Sequence, residues 1–183
     1  YTRRVLEQLQ RGRDWDECGV LQLGFNAKEA QRQAQLAAAF PHALVHLLDP
    51  PQAQTVAGVE LAHGGLFYPE GGWVHPPALC QYQAMHPNVH VLTHHEVVQL
   101  NKVGDQWQAC QGEQVLASAP VVVLAGAAEV KRFPAASHLP LKRIRGQITQ
   151  LLETQNSAVL QTVVCAEGYI APGRLGEHTL GAS

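Results

Sequence analysis

Several signatures are missing from this sequence. No Cys-x-x-Cys pair occurs, and Cys18, Cys80, Cys110 and Cys165 are scattered; that spacing excludes a disulfide framework and points to reduced, buried thiols in a cytosolic protein. No apolar run approaches the ~18 residues of a membrane span, and the polar, arginine-bearing start is not a signal peptide. Basic residues are not in excess: a formal charge of -2 excludes a strongly basic nucleic-acid binder in bulk. Also absent are a Gly-x-Gly-x-x-Gly fingerprint, a P-loop and a Gly-x-Ser-x-Gly elbow. What is present suffices for a core, since 46% of the 183 residues are apolar, enough for roughly one to two domains.

The patterning is α/β with a large antiparallel component. Residues 1–12 place Tyr1, Val5, Leu6 and Leu9 on one face and predict an amphipathic helix. A short strand is expected over 18–24, followed by an Ala- and Gln-rich helix over 27–40 that Asn26 caps and Pro41 stops. Asp49 with Pro50 opens another short helix. Residues 64–77 hold four glycines and read as close backbone approach or positive φ rather than a regular element. Pro76 then begins a helix to about Met85. Strands are expected at 89–92, 96–103, 106–111 and 114–117, the last three joined by Gly-containing turns into an antiparallel meander. The wholly apolar run 120–126 reads as a parallel strand buried on both faces. Residues 141–152 read as a long strand with Gly146 as a bulge. One domain therefore interrupts another.

Two basic or metal-like clusters need weighing. Lys131, Arg132, Lys142, Arg143 and Arg145 have no acid among them and could track an RNA backbone. A solvated surface is the favoured alternative, because Lys142, Arg143 and Arg145 cannot all share one strand face. His86, His90 and His94 recur every four residues, which on a helix would make a metal face. Pro87 and the Val89-x-Val91 alternation favour a strand instead, so no metal is expected.

The C-terminal stretch 169–183 carries most information. Tyr169-Ile170-Ala171-Pro172, a glycine turn and then Leu180-Gly181-Ala182-Ser183 read as a hairpin. It resembles the hairpin facing the flavin in amine oxidases of the D-amino-acid-oxidase/glycine-oxidase superfamily. The chain stops in mid-pattern, and the expectation is a fragment of a longer enzyme. Four further stretches fall in family order: Cys18 to Gly24, Gly65-Leu66-Phe67-Tyr68-Pro69-Glu70-Gly71-Gly72-Trp73 and onward to Cys80, Arg145-Gly146-Gln147, and Cys165 to Pro172. Together these resemble the FAD-dependent half of the bacterial bifunctional tRNA-modifying family that makes 5-methylaminomethyl-2-thiouridine at the wobble position.

The resemblance implies a fold of FAD/NAD(P)-binding flavoprotein type with an interleaved antiparallel-sheet substrate domain. Residues 1–13 would be a cofactor-domain helix, 14–66 and 135–183 the two parts of the substrate domain, and 67–134 a cofactor-domain segment. In that superfamily the dinucleotide fingerprint lies further upstream, so its absence does not discriminate. The implied activity is FAD-dependent removal of the carboxymethyl group from 5-carboxymethylaminomethyl-uridine in tRNA, releasing glyoxylate. A separate methyltransferase domain using S-adenosylmethionine would then methylate the amine; none of it is here. The implied partner is tRNA, the compartment cytoplasmic, with no membrane and no metal. Alternatives are an oxidase of glycine or sarcosine, or a non-catalytic binding module.

Residue by residue, the resemblance makes Tyr169 the catalytic and substrate-binding candidate. Its alternative is a core tyrosine with a satisfied hydroxyl. Arg145 and Trp73 join it as substrate-binding candidates. Gly71 and Gly72 would border the cofactor, against a tight turn with a packed indole as alternative. Val97 or Val98 would meet adenine through backbone groups, and Ala125-Gly126 would pass near the dinucleotide. There the family reads Leu-Ala-Asn-Gly, whereas this chain has Leu124-Ala125-Gly126-Ala127. The glycine is displaced by one position.

Overall fold

A computed structural model describes residues 2–181. Tyr1, expected on the first helix, and Ala182 and Ser183, expected at the end of the hairpin, lie outside the described residues. The helices are α1 (Thr2–Leu6), α2 (Ala27–Ala39), α3 (Pro50–Ala57) and α4 (Pro76–Ala84). The strands are β1 (Trp15–Asp16), β2 (Val20–Leu23), β3 (His46–Leu48), β4 (Gly65–Tyr68), β5 (Trp73–Val74), β6 (Gln99–Val103), β7 (Gln106–Gln111), β8 (Gln114–Ala119), β9 (Ile148–Leu152), β10 (Val163–Cys165), β11 (Tyr169–Ile170) and β12 (Glu177–Gly181). Two compact units emerge: residues 1–86 with 146–183, and residues 87–145.

In the first unit local chemistry sets the helices. The Asn26 side chain accepts the Glu29 N–H at 2.9 Å, and α2 ends at Phe40, whose extended backbone is what a residue before proline prefers. Asp49 and Gln52 form a reciprocal capping box at 2.9 and 3.0 Å, with Pro50 in the first turn of α3. Seven strands form one sheet in the order β3-β4-β2-β10-β11-β12-β9. Only β2 and β10 run parallel; the other pairs are antiparallel. Leu21 and Val164 on that sheet pack with Ala53 and Ala57 of α3 and with Leu160 as the core. Leu21 is completely buried, and burying such a leucine stabilises by about 1.5–3 kcal/mol.

The second unit is the antiparallel meander β6-β7-β8, with a bulge between Ala109 and Cys110. Beside it lie 3-10 turns at Ala127–Arg132 and Pro134–Ala136, which bury Val130 and Ala136.

Several expectations are corrected. The first helix ends at Leu6, because the Asp14 carboxylate takes the Gln10 N–H at 3.1 Å and Asp14 N–H turns back to the Gln10 carbonyl at 2.7 Å. Within 64–77, β4 is a regular strand lying between β2 and β3, with Leu66 only 1% exposed. No strand forms at 89–92 or at 120–126. Val91 is 60% and Val123 83% exposed, and no described strand offers these runs a ladder. The expected strand 141–152 is reduced to Ile148–Leu152, since the five described residues of β12 match those five one for one. The third meander strand runs on to Ala119 rather than stopping at 117.

The compact units divide at 86/87 and 145/146, whereas the boundaries expected at 66/67 and 134/135 concern roles in a complete enzyme rather than compactness. Backbone pairing sets the first division: Trp73 pairs with Asp16, and His75 N–H donates to the Asp14 carbonyl at 2.7 Å, holding β5 and α4 in the first unit. Arg143 pairs with Glu129 at 2.7 Å, and Lys131 donates to the Leu141 carbonyl at 3.4 Å, holding 135–145 in the second.

Candidate active site

Tyr169 sits on β11, paired with Cys165 of β10 on one side and Gly181 of β12 on the other. A side chain at position 181 would run into the ring and hydroxyl of Tyr169. The ring therefore lies flat across the glycine, and only the missing Cβ lets it. It is 40% exposed, and its hydroxyl has no hydrogen-bond partner among the described residues. That is not a core tyrosine with a satisfied hydroxyl.

The outer side of the ring faces a cleft of about 500 Å³, lined also by Gly146, Gln147, Ile148, Cys165, Glu167 and Gly168. Burial pushes the Cys165 thiol above its ordinary 9.0, so this sulfur stays protonated at neutral pH and lines the cleft as a soft apolar group. The carbonyl of Ala166, in the turn between β10 and β11, accepts the Gln22 amide at 3.4 Å. On β12, buried His178 donates Nδ1–H to the Ala171 carbonyl at 2.9 Å, bracing the hairpin from within. Its Nε2 is buried without a partner among the described residues. Gln147, Cys165 and Glu167 lie within the stretches that carry the resemblance, but no local pattern marks them as site residues. Their nearness to Tyr169 arises from strand order, which no local pattern carries.

Gly71, Gly72 and Trp73 line a different, smaller cleft of about 170 Å³ with Leu6, Trp15, Asp16, Glu17, Glu70 and Val74. The glycine pair has an internal reason to be there. A Cβ on Gly72 would strike the Asp16 carbonyl, and one on Gly71 would press on Val20. β5 and β1 thus approach closely around a half-buried indole.

In the second unit Val97, Ala125 and Gly126 come together in a cleft of about 410 Å³, walled by Val122, Leu124 and Phe133. Small-molecule sites span roughly 300–1,000 Å³, a range that includes this cleft, whose lining also carries His95, Glu96, Glu129 and Arg132. Val98 is not in the lining, and its N–H is already given to the Cys110 carbonyl at 3.0 Å. Gly126 is not sterically required, since an added Cβ would make only ordinary contact with Val130 at 3.6 Å.

The basic residues of this unit are largely engaged within it: Arg132 pairs with Glu96, Arg143 with Glu129, and Lys131 holds a carbonyl. Arg145 is exposed at the unit's end. Among the described residues no group of three or more His, Cys, Asp or Glu is placed to hold a metal ion. None of the described helices is long and apolar enough to cross a membrane.

The mixed sheet closed by a Tyr-bearing hairpin, and the meander unit, have counterparts among solved structures. Glycine oxidase from Bacillus cereus superposes with a TM-score of 0.77 over 97% of this chain and 52% of that one, at 17% identity. Glycine oxidase from Geobacillus kaustophilus gives 0.76 over 98% and 50%, at 22% identity. At such identities the likeness shows the fold alone. The profile of the FAD dependent oxidoreductase (DAO) family matches residues 1–183, and the chain belongs to that family. Its sequence is 73% identical over all 183 residues to the tRNA 5-methylaminomethyl-2-thiouridine biosynthesis bifunctional protein MnmC of Pseudomonas fluorescens, and 68% identical to the protein of that name from Pseudomonas entomophila. The chain spans 28% of the length of each of these relatives.

Proposed function

We propose that this chain is the substrate-side part of a cytoplasmic, FAD-dependent amine oxidase acting on 5-carboxymethylaminomethyl-(2-thio)uridine at the tRNA wobble position. The observation that carries the reading is the 73% identity, unbroken over the whole chain, to a protein named for this modification. In the complete protein a methyltransferase domain using S-adenosylmethionine would act on the product amine. FAD, when bound, supplies the two-electron oxidation of the donor C–N bond.

The chain's own residues have three tasks in such a site. Tyr169, whose hydroxyl is uncommitted, offers a donor and acceptor to the substrate's carboxylate or amine at the floor of the cleft. Gly181 gives the Tyr169 ring the space it occupies, and Gly168 adds a side-chain-free stretch to the cleft lining. The ring of Tyr169 and the protonated Cys165 give that floor an apolar lining. Arg145 and Trp73 are further substrate-contact candidates. Val97, Ala125 and Gly126 are the candidates for holding the nucleotide end of the cofactor, with Gly71, Gly72 and the Val98 carbonyl as secondary ones.

The test uses full-length, FAD-loaded protein and tRNA carrying the carboxymethylaminomethyl group. Conversion to aminomethyl-uridine with one glyoxylate released per nucleoside is the expected result. Rapid oxidation of free glycine or sarcosine with the tRNA left untouched would instead establish a small-amino-acid oxidase.

A further inference from the structure

On the first unit a second cleft, of about 520 Å³, shares no lining residue with the Tyr169 cleft. Three elements make it: the turn after α1, α4 along its length, and the loop after Pro172. Arg174 on that loop is pinned. Its Nε donates to the Arg13 carbonyl at 2.6 Å and its Nη2 to His75 Nδ1 at 3.4 Å. These bonds use only part of the guanidinium's donor set. Arg13 lies beside it, its side chain 59% exposed and only loosely held, by the Gln10 amide at 3.4 Å and by Asp14 at 3.9 Å. The Asp14 carboxylate already receives the Gln10 N–H at 3.1 Å. The lining thus carries two guanidiniums against one partly satisfied carboxylate. Across from them α4 presents Gln81 and Tyr82, the tyrosine 38% exposed.

We infer that this cleft binds one nucleotide of the tRNA other than the one being oxidised. The assignment rests on the tRNA reading above. A surplus of one positive charge matches a phosphodiester monoanion, and arginine offers it a paired-donor geometry. Tyr82 gives a base a face to stack on, as in single-strand RNA recognition. Gln81 supplies an amide that can meet a 2′-hydroxyl or a base edge. Arg174 is set in place before any ligand arrives, so ordering it costs the complex little.

Binding of unmodified tRNA to the full-length, FAD-loaded protein tests this, read as Kd against salt. Arg13→Ala should raise Kd about 5- to 20-fold near 0.1 M salt and lower the slope of log K against log salt by roughly 0.7–0.9. Tyr82→Ala should raise Kd roughly tenfold and leave that slope unchanged. Both residues are well exposed, and flavin content and melting temperature check that each variant is folded. Variants within twofold of the wild type, with unchanged slope, would overturn the assignment while leaving the tRNA reading intact. A wild-type protein with no measurable affinity for tRNA would instead bring down the tRNA reading, and this inference with it.

Discussion

At Tyr169 the ring is held by a missing atom: the bare Cα of Gly181 gives it a surface to lie on, and its hydroxyl has no partner among the described residues. In the full-length enzyme Tyr169→Phe should therefore preserve folding and FAD content while lowering kcat/KM on modified tRNA. Losing one hydrogen bond to a charged group costs about 1.5–3 kcal/mol, or roughly one to two orders of magnitude. A lowered melting temperature with unchanged kinetics would move the residue from the site to the fold. The half-buried thiols make a second prediction. Burial raises Cys18, aided by the nearby negative charge of Asp16, and burial alone raises Cys165. A group whose folded pKa is raised favours the protonated fold. The stabilisation is complete below the ordinary value of 9.0 and is lost as pH climbs above it. Melting temperature should thus fall as pH climbs above 9.0 in the wild type and fall less in Cys165→Ala. Equal slopes in the two proteins would show that Cys165 ionises as freely folded as unfolded.

At the scale of elements, two of the helices that the sequence announced, α2 and α3, carry side-chain caps, while α4 opens on Pro76 without one. Asp49→Ala removes both the acceptor for Gln52 and half of a reciprocal pair, and should cost about 1 kcal/mol by urea titration. Leu21→Ala, in the strand that joins β4 to β10, should cost about 2–5 kcal/mol because it empties a fully enclosed position. If the Asp49 variant proved the more damaging, the core would not lie between the sheet and α3. Strands were less legible than helices. β6, β7 and β8 could be read because glycine turns bracket them and they pair with sequence neighbours. The runs 89–92 and 120–126 have strand-like composition yet no ladder, since β-propensity records a fit to a pleated neighbour rather than a backbone preference. The Gly-rich 64–77 erred the other way, because close approach and regular pairing coexist in β4 and β5.

For the whole molecule, membership in the FAD-dependent oxidoreductase family does not mean that these 183 residues hold the cofactor unaided. They contain no glycine fingerprint opening a helix, and that loop with its helix N-terminus supplies much of the affinity for a dinucleotide's phosphates. This chain purified by itself should be colourless. A yellow preparation with stoichiometric flavin absorbance would show that the clefts described above suffice.

The sequence by itself determined the helix caps, the meander, the Tyr-x-x-Pro hairpin and the family resemblance, because each is written within a few consecutive residues or in their order. It could not place Gln147, Cys165 and Glu167 around Tyr169, nor separate Trp73 from that cleft, nor bring Arg13, His75 and Arg174 together. Those juxtapositions follow from β9 lying beside β12, β10 beside β2, and β5 beside β1. Strand order is decided by which faces can be buried together across the whole sheet, and that is a property of the assembled core rather than of any segment.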